Sequence, residues 1–351
     1  MKQKILLTGG AGYIGSHTAV ELLQSGYEVL ILDNFVNSHK VVIKQIERLT
    51  NRSVKLIEGD VRDIDVLERL FSDNNLSGVI HFAGLKAVGE SVAQPSNYYD
   101  VNVTGSLGLM RVMEASGVKA LVFSSSATVY GDPDELPLRE DAPYKPESPY
   151  GRSKMWVEQA MADTANSNTN CSYMALRYFN PVGAHASGEI GEDPNGIPNN
   201  LFPYVAQVAV GRREALTIFG NDYPTSDGTG VRDYIHVVDL ARGHVAALDY
   251  VISNPAMGFD AVNLGTGFGS SVIDVCDAFE KVSGKQIQRT VGPRREGDVA
   301  AYWADPEKAA QLLSWRAELN LLQMCEDGWR WQSAYPNGYV DMDSVRTPES
   351  L

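Results

Sequence analysis

The sequence is poor in cysteine, with three in 351 residues, and Cys171, Cys276 and Cys325 are scattered without Cys-x-x-Cys spacing. A small, odd, dispersed set argues against a disulfide framework and places the chain in a reducing, cytoplasmic compartment. Long apolar runs are also missing. No stretch reaches the roughly 18 residues of a membrane span, and the apolar run at 5–7 is too short for a signal-peptide core, so no membrane association is expected. Positive charge is in deficit, 30 Lys and Arg against 44 Asp and Glu for a net −14. Such a surface does not suit a polyanion, so no nucleic-acid partner is expected, and an anionic ligand must be gripped by local cations. The six histidines, His17, His39, His81, His185, His236 and His244, lack His-x-x-x-His or mixed Cys/His ligand spacing, and no metal site is expected. There is no Gly-x-Ser-x-Gly elbow of a hydrolase and no repeat of solenoid period.

What is present is ordinary in bulk, 44% apolar and 21% charged, and ordered in pattern. The length implies two domains, or one large α/β domain with an added lobe. A short apolar strand at 4–8 runs into Gly9-Gly10-Ala11-Gly12-Tyr13-Ile14-Gly15 and a helical pattern to residue 24. Strand, glycine turn and helix in that order let the backbone approach a pyrophosphate, with the positive end of the helix facing it. A second strand at 27–33 ends in Asp33, about 20 residues past the glycines, where an acid binds ribose hydroxyls and repels a 2′-phosphate. This spacing favours NAD over NADP; the other role open to Asp33 is capping the loop 34–38.

Further strands are expected at 54–60, 78–84, 118–126 and 172–179, with helices at 63–72, 95–113 and 150–163 between them. Alternation of this kind predicts an α/β fold, a Rossmann-type parallel sheet wound on both faces. Asp60 and Phe82-Ala83-Gly84 fall at strand C-terminal ends, where such sheets bind ligands. Asn102 lies in the 95–113 helix, where a structural role is also open. After Asn180 the Gly/Pro/Asn-rich stretch to Asn200 is irregular, and a loop of that length is usually functional. The boundary is drawn there, giving an NAD-binding domain at 1–180 and a smaller mixed α/β substrate domain at 181–351, with the return of some of its elements to the first sheet left open. Helices at 201–210 and 238–251, strands at 216–219 and 233–236, and helices after residues 270 and 306 are expected in it, with a loose polar tail from 337.

The chemistry centres on Ser148-Pro149-Tyr150-Gly151-Arg152-Ser153-Lys154. Tyr150 and Lys154 share a helical face, and a cation near a phenol favours the phenolate, lowering its pKa and making Tyr150 an acid/base. The strand before it ends in Ser124-Ser125-Ser126, and Ser126 can bridge substrate and phenol. Arg232 and the Arg294-Arg295 pair supply forks matched to diphosphate oxygens, with pairing to Asp233 or Glu296 as the alternative.

These motifs, with His81 to Ser91, Ser124 to Gly131, Arg177 to His185 and Pro293 to Asp298, resemble the extended short-chain dehydrogenase/reductase family, over residues from about 4 to about 336. The resemblance is closest to the branch that epimerises UDP-hexoses at C4. It implies NAD-dependent interconversion of UDP-glucose and UDP-galactose through a 4-keto intermediate, in galactose metabolism, by a homodimer packed through the 95–113 and 150–163 helices. It implies Ser126, Tyr150 and Lys154 as catalytic. NAD would meet Gly9, Gly12, Tyr13, Ile14, Gly15, Asp33, Asn34, Phe35, Val36, Asn37, Ser38, Asp60, Val61, Phe82, Ala83, Gly84, Leu85, Lys86, Asn102 and Phe179, besides the catalytic three. The UDP-sugar would meet Asn180, Asn200, Leu201, Arg232, Arg295, Asp298 and Tyr302, besides Ser126 and Tyr150. Val101 stands where some relatives carry a second Asn. Tyr302 matches a position that crowds a 2-acetamido group, though packing under Trp303 would also account for it. The runner-up activity is a nucleotide-sugar 4,6-dehydratase, disfavoured because Ala127-Thr128 stands where those enzymes use an acidic pair; a non-catalytic NAD sensor is disfavoured by the intact Tyr150 and Lys154.

Overall fold

Strands as apolar as Ile5-Leu6-Leu7 require cover on both faces, which only flanking helices supply. In the structure, a computed structural model describing residues 3–295 and 297–344, the first half alternates accordingly. Its elements are β1 (Lys4–Thr8), α1 (Tyr13–Gln24), β2 (Glu28–Asp33), α2 (Val41–Thr50), β3 (Lys55–Glu58), α3 (Ile64–Asp73), β4 (Leu76–His81), α4 (Val88–Ala93), α5 (Pro95–Tyr98), α6 (Gly105–Ser116), β5 (Ala120–Ser126), α7 (Pro149–Ser167) and β6 (Ser172–Tyr178). The second half adds β7 (Asn180–Val182), α8 (Leu201–Ala209), β8 (Leu216–Phe219), β9 (Val231–His236), α9 (Val237–Ser253), β10 (Gly258–Leu264), β11 (Gly269–Ser271), α10 (Val272–Ser283), β12 (Arg289–Gly292), β13 (Ala301–Tyr302), α11 (Glu307–Leu313), α12 (Leu321–Ala334) and α13 (Tyr339–Ser344).

Seven parallel strands in the order β10-β6-β5-β4-β1-β2-β3 form the central sheet, a Rossmann-type doubly wound α/β arrangement. Alternate residues of β1 point to opposite layers. Ile5 and Leu7 join the core under α1, α2 and α9, whereas Leu6 joins the core under α3, α6 and α7. A third core holds α8, α10 and α12 together beside the smaller sheets, in which β9 pairs with β7, β11 and β13, and β8 with β12. The chain leaves β1 toward β2 and β3, then crosses to β4 on the other side, and this reversal opens a crevice at the strand C-terminal ends.

Several elements differ from expectation. β10 forms at 258–264, where no strand is expected, and pairs with β6 along its whole length, although Asp260 and Asn263 interrupt its apolar run. Asn263 is paid for internally, accepting from the Tyr130 hydroxyl at 2.6 Å and donating to the Leu138 carbonyl at 3.0 Å. The expected single helix at 95–113 is broken by a π-helical turn at Tyr99–Thr104, between α5 and α6. The tail expected to be loose from 337 is helical over Tyr339–Ser344, with Tyr339 buried, its ring 4.6 Å from Trp331 and its N–H donating to Asp193 at 2.8 Å. Residues 345–351 of that tail lie outside the described residues.

Candidate active site

A cleft of about 1460 Å³ opens above the crevice, roofed by the 183–200 loop, β8, β9 and the segment 295–302. At its floor, Gly9 adopts φ +69°, and a Cβ there would stand 2.7 Å from the Ala83 nitrogen. A Cβ on Gly15 would stand 2.5 Å from the Gly9 carbonyl. Only glycine lets β1, β4 and the start of α1 approach this closely. Gly12 begins α1 with no side-chain cap, so the helix presents backbone N–H groups and positive dipole charge to the cleft.

At the end of β2, Asp33 accepts from the Ala11 N–H at 2.9 Å, the Phe35 N–H at 2.9 Å and the Ser38 hydroxyl at 2.8 Å. The two readings of this acid are therefore joined, because it caps the following loop and also ties it to the glycine turn. Asp60 accepts from Asn34 at 3.0 Å and three times from Arg62, through its backbone N–H, Nε and Nη2, which holds its carboxyl well below the usual range. This floor suits a dinucleotide: a glycine turn open to phosphate, an acid at ribose distance from it, and apolar walls from Ile14, Val36, Val61 and Phe82.

Of the residues expected to touch cofactor, Phe35 and Asn102 do not line the cleft. Phe35, at φ +58°, packs its ring against the core. Asn102 is buried and clamps Leu85, accepting from its N–H at 2.7 Å and donating to its carbonyl at 3.0 Å and to Ser153 at 3.0 Å. It shapes the wall through Leu85 and fastens it to α7. The remaining expected cofactor and substrate residues all line the cleft.

Ser148 caps α7 by accepting from the Gly151 N–H at 3.1 Å, and Pro149 occupies the first turn. This start aims Tyr150 into the cleft, where the Ser126 hydroxyl stands near enough to its phenol to favour the phenolate. Ser126 also accepts from the Thr128 N–H at 3.2 Å and hydroxyl at 3.0 Å. Lys154 is buried one turn on, donating to the Ser124 carbonyl at 2.7 Å, with its ammonium 5.8 Å from the Tyr150 ring centroid. The expectation that this cation lowers the phenol pKa needs correcting for the protein alone. Burial dominates, pushing Tyr150 up to about 12 while the nearby Ser126 hydroxyl opposes it, and burial lowers Lys154 to about 8. At that distance, with the ammonium bonded to a carbonyl, the lysine does not outweigh desolvation.

Across the cleft, the Tyr302 hydroxyl donates to Asn180 at 3.0 Å, its ring lies 5.7 Å from Phe179, and the Arg232 guanidinium sits 4.9 Å from its centroid. Packing under Trp303 is thus replaced by contacts to Phe179 and Arg232. Asp298 joins Arg232, at 3.9 Å, to Arg295, at 2.8 Å. Asp233 does not pair with Arg232; it is buried and accepts from Thr266, Gly267 and Ala304. Arg294 turns away to Asp222 at 2.7 Å, and Glu296, the alternative partner for the arginine pair, lies outside the described residues. Sequence reasoning missed Thr128, Tyr178, Glu192 and Phe219 among the lining residues. Glu192 accepts from Lys86 at 3.0 Å and Asn200 at 3.3 Å, and its place in a long irregular loop was the available signal.

Comparison with known proteins agrees with this geometry. A family model described as GDP-mannose 4,6 dehydratase matches residues 6–328. The chain is 56% identical over 335 residues to UDP-glucose 4-epimerase of Bacillus subtilis (strain 168), covering 95% of this chain and 98% of that one. It is 55% identical over 346 residues to UDP-glucose 4-epimerase of Homo sapiens, covering 97% and 99%. Among solved structures, UDP-glucose 4-epimerase from Bifidobacterium longum in complex with NAD+ and UDP superposes with a TM-score of 0.92 at 51% identity, covering 96% of this chain and all (100%) of that one. The UDP-Glc/GlcNAc 4-epimerase from Campylobacter jejuni superposes at 0.83 with 36% identity, covering 95% and 99%.

Proposed function

The chain belongs to the UDP-glucose 4-epimerase family, and from that premise we propose how its own residues perform the reaction. It is an NAD-dependent isomerase that interconverts UDP-glucose and UDP-galactose. The observation that carries the reading is one cleft in which Ser126, Tyr150 and Lys154 stand between a glycine cradle and a wall of Asn180, Arg232, Arg295 and Tyr302.

Bound NAD supplies the acceptor, and then the donor, of the hydride at sugar C4. Tyr150 takes the proton of the 4-hydroxyl, directly or through Ser126, and returns one when the 4-keto sugar is reduced. Lys154 is the protein's charge favouring the phenolate. The ketone must present its opposite face before reduction, so the protein grips the diphosphate and leaves the hexose free to turn. Arg232 and Arg295 suit the grip, since Asp298 orients both and their guanidiniums lie against the Tyr302 and Phe219 rings at 4.9 Å each.

We place the protein in the cytoplasm, its three cysteines being free and buried, and in galactose metabolism. A homodimer is supported by an exposed apolar patch, Val88 and Val92 on α4, Leu107 on α6 and Trp156 on α7, with Trp156 stacked on Tyr99 at 4.7 Å. Incubating exhaustively dialysed protein with UDP-galactose and no added cofactor tests the activity. UDP-glucose without lasting reduced nicotinamide is the expected outcome; no epimer even with NAD supplied would overturn it, and a 4-keto-6-deoxy product would identify a dehydratase instead.

A further inference from the structure

Tyr150 and Lys154 occupy successive turns of α7, and the next position on the same face is Glu158. This carboxylate is fully buried. The strand beneath meets all three positions through consecutive serines. The Ser126 hydroxyl stands near Tyr150, the Ser124 carbonyl accepts from Lys154 at 2.7 Å, and the Ser125 hydroxyl donates to Glu158. Behind Glu158 stands Arg177 of β6, whose Nε and Nη2 donate to the carboxylate at 3.1 and 2.7 Å. The Tyr144 hydroxyl donates to it at 2.8 Å, and the Arg177 guanidinium lies 5.0 Å from each of the Tyr130 and Tyr144 ring centroids.

A buried ion pair of this kind adds little net stability over apolar residues of the same volume, because desolvating two charges offsets their attraction. Its cost therefore calls for another reason. The register supplies one: the pair sits a single helical turn from the lysine that must stay charged beside Tyr150.

We propose that Glu158, clamped by Arg177, is a positioning residue that sets the Lys154 ammonium against Tyr150, acting through α7 without touching substrate or cofactor. It does so in two ways. The clamp fixes the rotation and height of α7 on β5 and β6. The carboxylate also supplies the negative charge that keeps a buried ammonium protonated, and its attraction opposes the burial that lowers Lys154. The other groups facing Lys154 do not substitute for it. From β4, His81 is held neutral by burial and bonded to Thr8 and Ser106; β5 offers the Ser124 carbonyl and the Phe123 ring; Tyr178 of β6 stands beside Tyr150 with its pKa raised.

The test is a pH profile of the NAD-loaded Glu158→Gln protein, with bound NAD and KM measured alongside. Turnover needs Lys154 protonated, so activity falls as pH rises through its pKa. Without the carboxylate that pKa drops, and the alkaline limb of kcat should move down by roughly half a unit or more, with KM for UDP-galactose and NAD content unchanged. Arg177→Lys, which keeps the charge but loses the fork, should lower kcat about threefold or more and leave the limb in place. A wild-type limb in Glu158→Gln would overturn the proposal, whether or not kcat falls. If the single variant does not fold by circular dichroism, Glu158→Gln with Arg177→Gln removes the unpaired buried charge. That double variant should show the same downward direction, reduced because Arg177 is also gone; a wild-type limb, or failure of this pair to fold, would assign Glu158 to stability alone and sink the idea.

Discussion

Lys154 is 5% exposed and carries a charge the reaction needs, so function and stability pull on it in opposite directions. Burial lowers it from 10.5 to about 8. Between those values the folded chain binds fewer protons there than the unfolded chain, so folded stability is lowest below the folded pKa and rises with pH through the window. Lys154→Met has nothing to titrate. NAD-loaded Lys154→Met should lose turnover, whereas NAD-free samples should be more stable than the wild type at neutral pH, by an amount that shrinks on the order of 2–3 kcal/mol as pH rises from about 8 to about 10. Denaturation at several pH values checks this, and a gap independent of pH would contradict it. Tyr302 makes a second prediction at this scale. Its ring stands in the cleft wall, held by Asn180 and Phe179, where it would crowd a 2-acetamido group. Tyr302→Cys should raise turnover of UDP-N-acetylglucosamine relative to UDP-glucose on the order of tenfold, and an unchanged ratio would remove Tyr302 from specificity.

Among the elements, the 183–200 loop lines the cleft and ties to its far walls. Glu192 reaches Lys86 at 3.0 Å, Asp193 reaches His39 at 3.4 Å, and Asn195 donates to the Val36 carbonyl at 2.9 Å, so the loop straps the walls beside the glycine cradle. Asn195→Ala combined with Glu192→Gln should speed NAD release about fivefold or more, measured by retention on gel filtration, with little change in melting temperature. Release at the wild-type rate would deny the strap its role. The loop's length drew attention to it in the sequence, but its attachments could not be read, because each partner lies more than a hundred residues away. The same limit explains β10 and α2. β10 carries Asn263, whose burial makes sense only once Tyr130 and Leu138 are beside it, and Asp260, which pairs with the distant Lys308, while α2 follows a turn-rich segment that reads as loop. By contrast, the glycine turn, the acid ending β2 and the Tyr150–Lys154 pair were legible because their chemistry is local, set by spacing along one strand or one helix. The direction of the Tyr150 shift was not legible, since burial is a property of the whole cleft.

For the molecule as a whole, a net charge of −14 and an anionic substrate are reconciled by confinement. Arg232 and Arg295 line a cleft, where a few oriented guanidiniums would outweigh a screened surface field. Assembly is the other property at this scale. Leu107 and Trp156 lie outside the cleft lining, whereas Val88 and Val92 are exposed at its edge, so the patch borders the site. Trp156→Glu should shift the protein toward its monomer mass of 38.3 kDa in sedimentation, with turnover per chain kept within a factor of about two. A wild-type mass would place the interface elsewhere.

The account rests on Tyr150 as the group that moves the proton, and Tyr150→Phe in NAD-loaded protein tests it most directly. The substitution removes one oxygen from a ring whose packing and cradle remain. UDP-galactose turnover should fall by at least about a hundredfold, with the melting temperature and bound NAD unchanged. Turnover near the wild-type rate in a folded, NAD-loaded variant would contradict the mechanism.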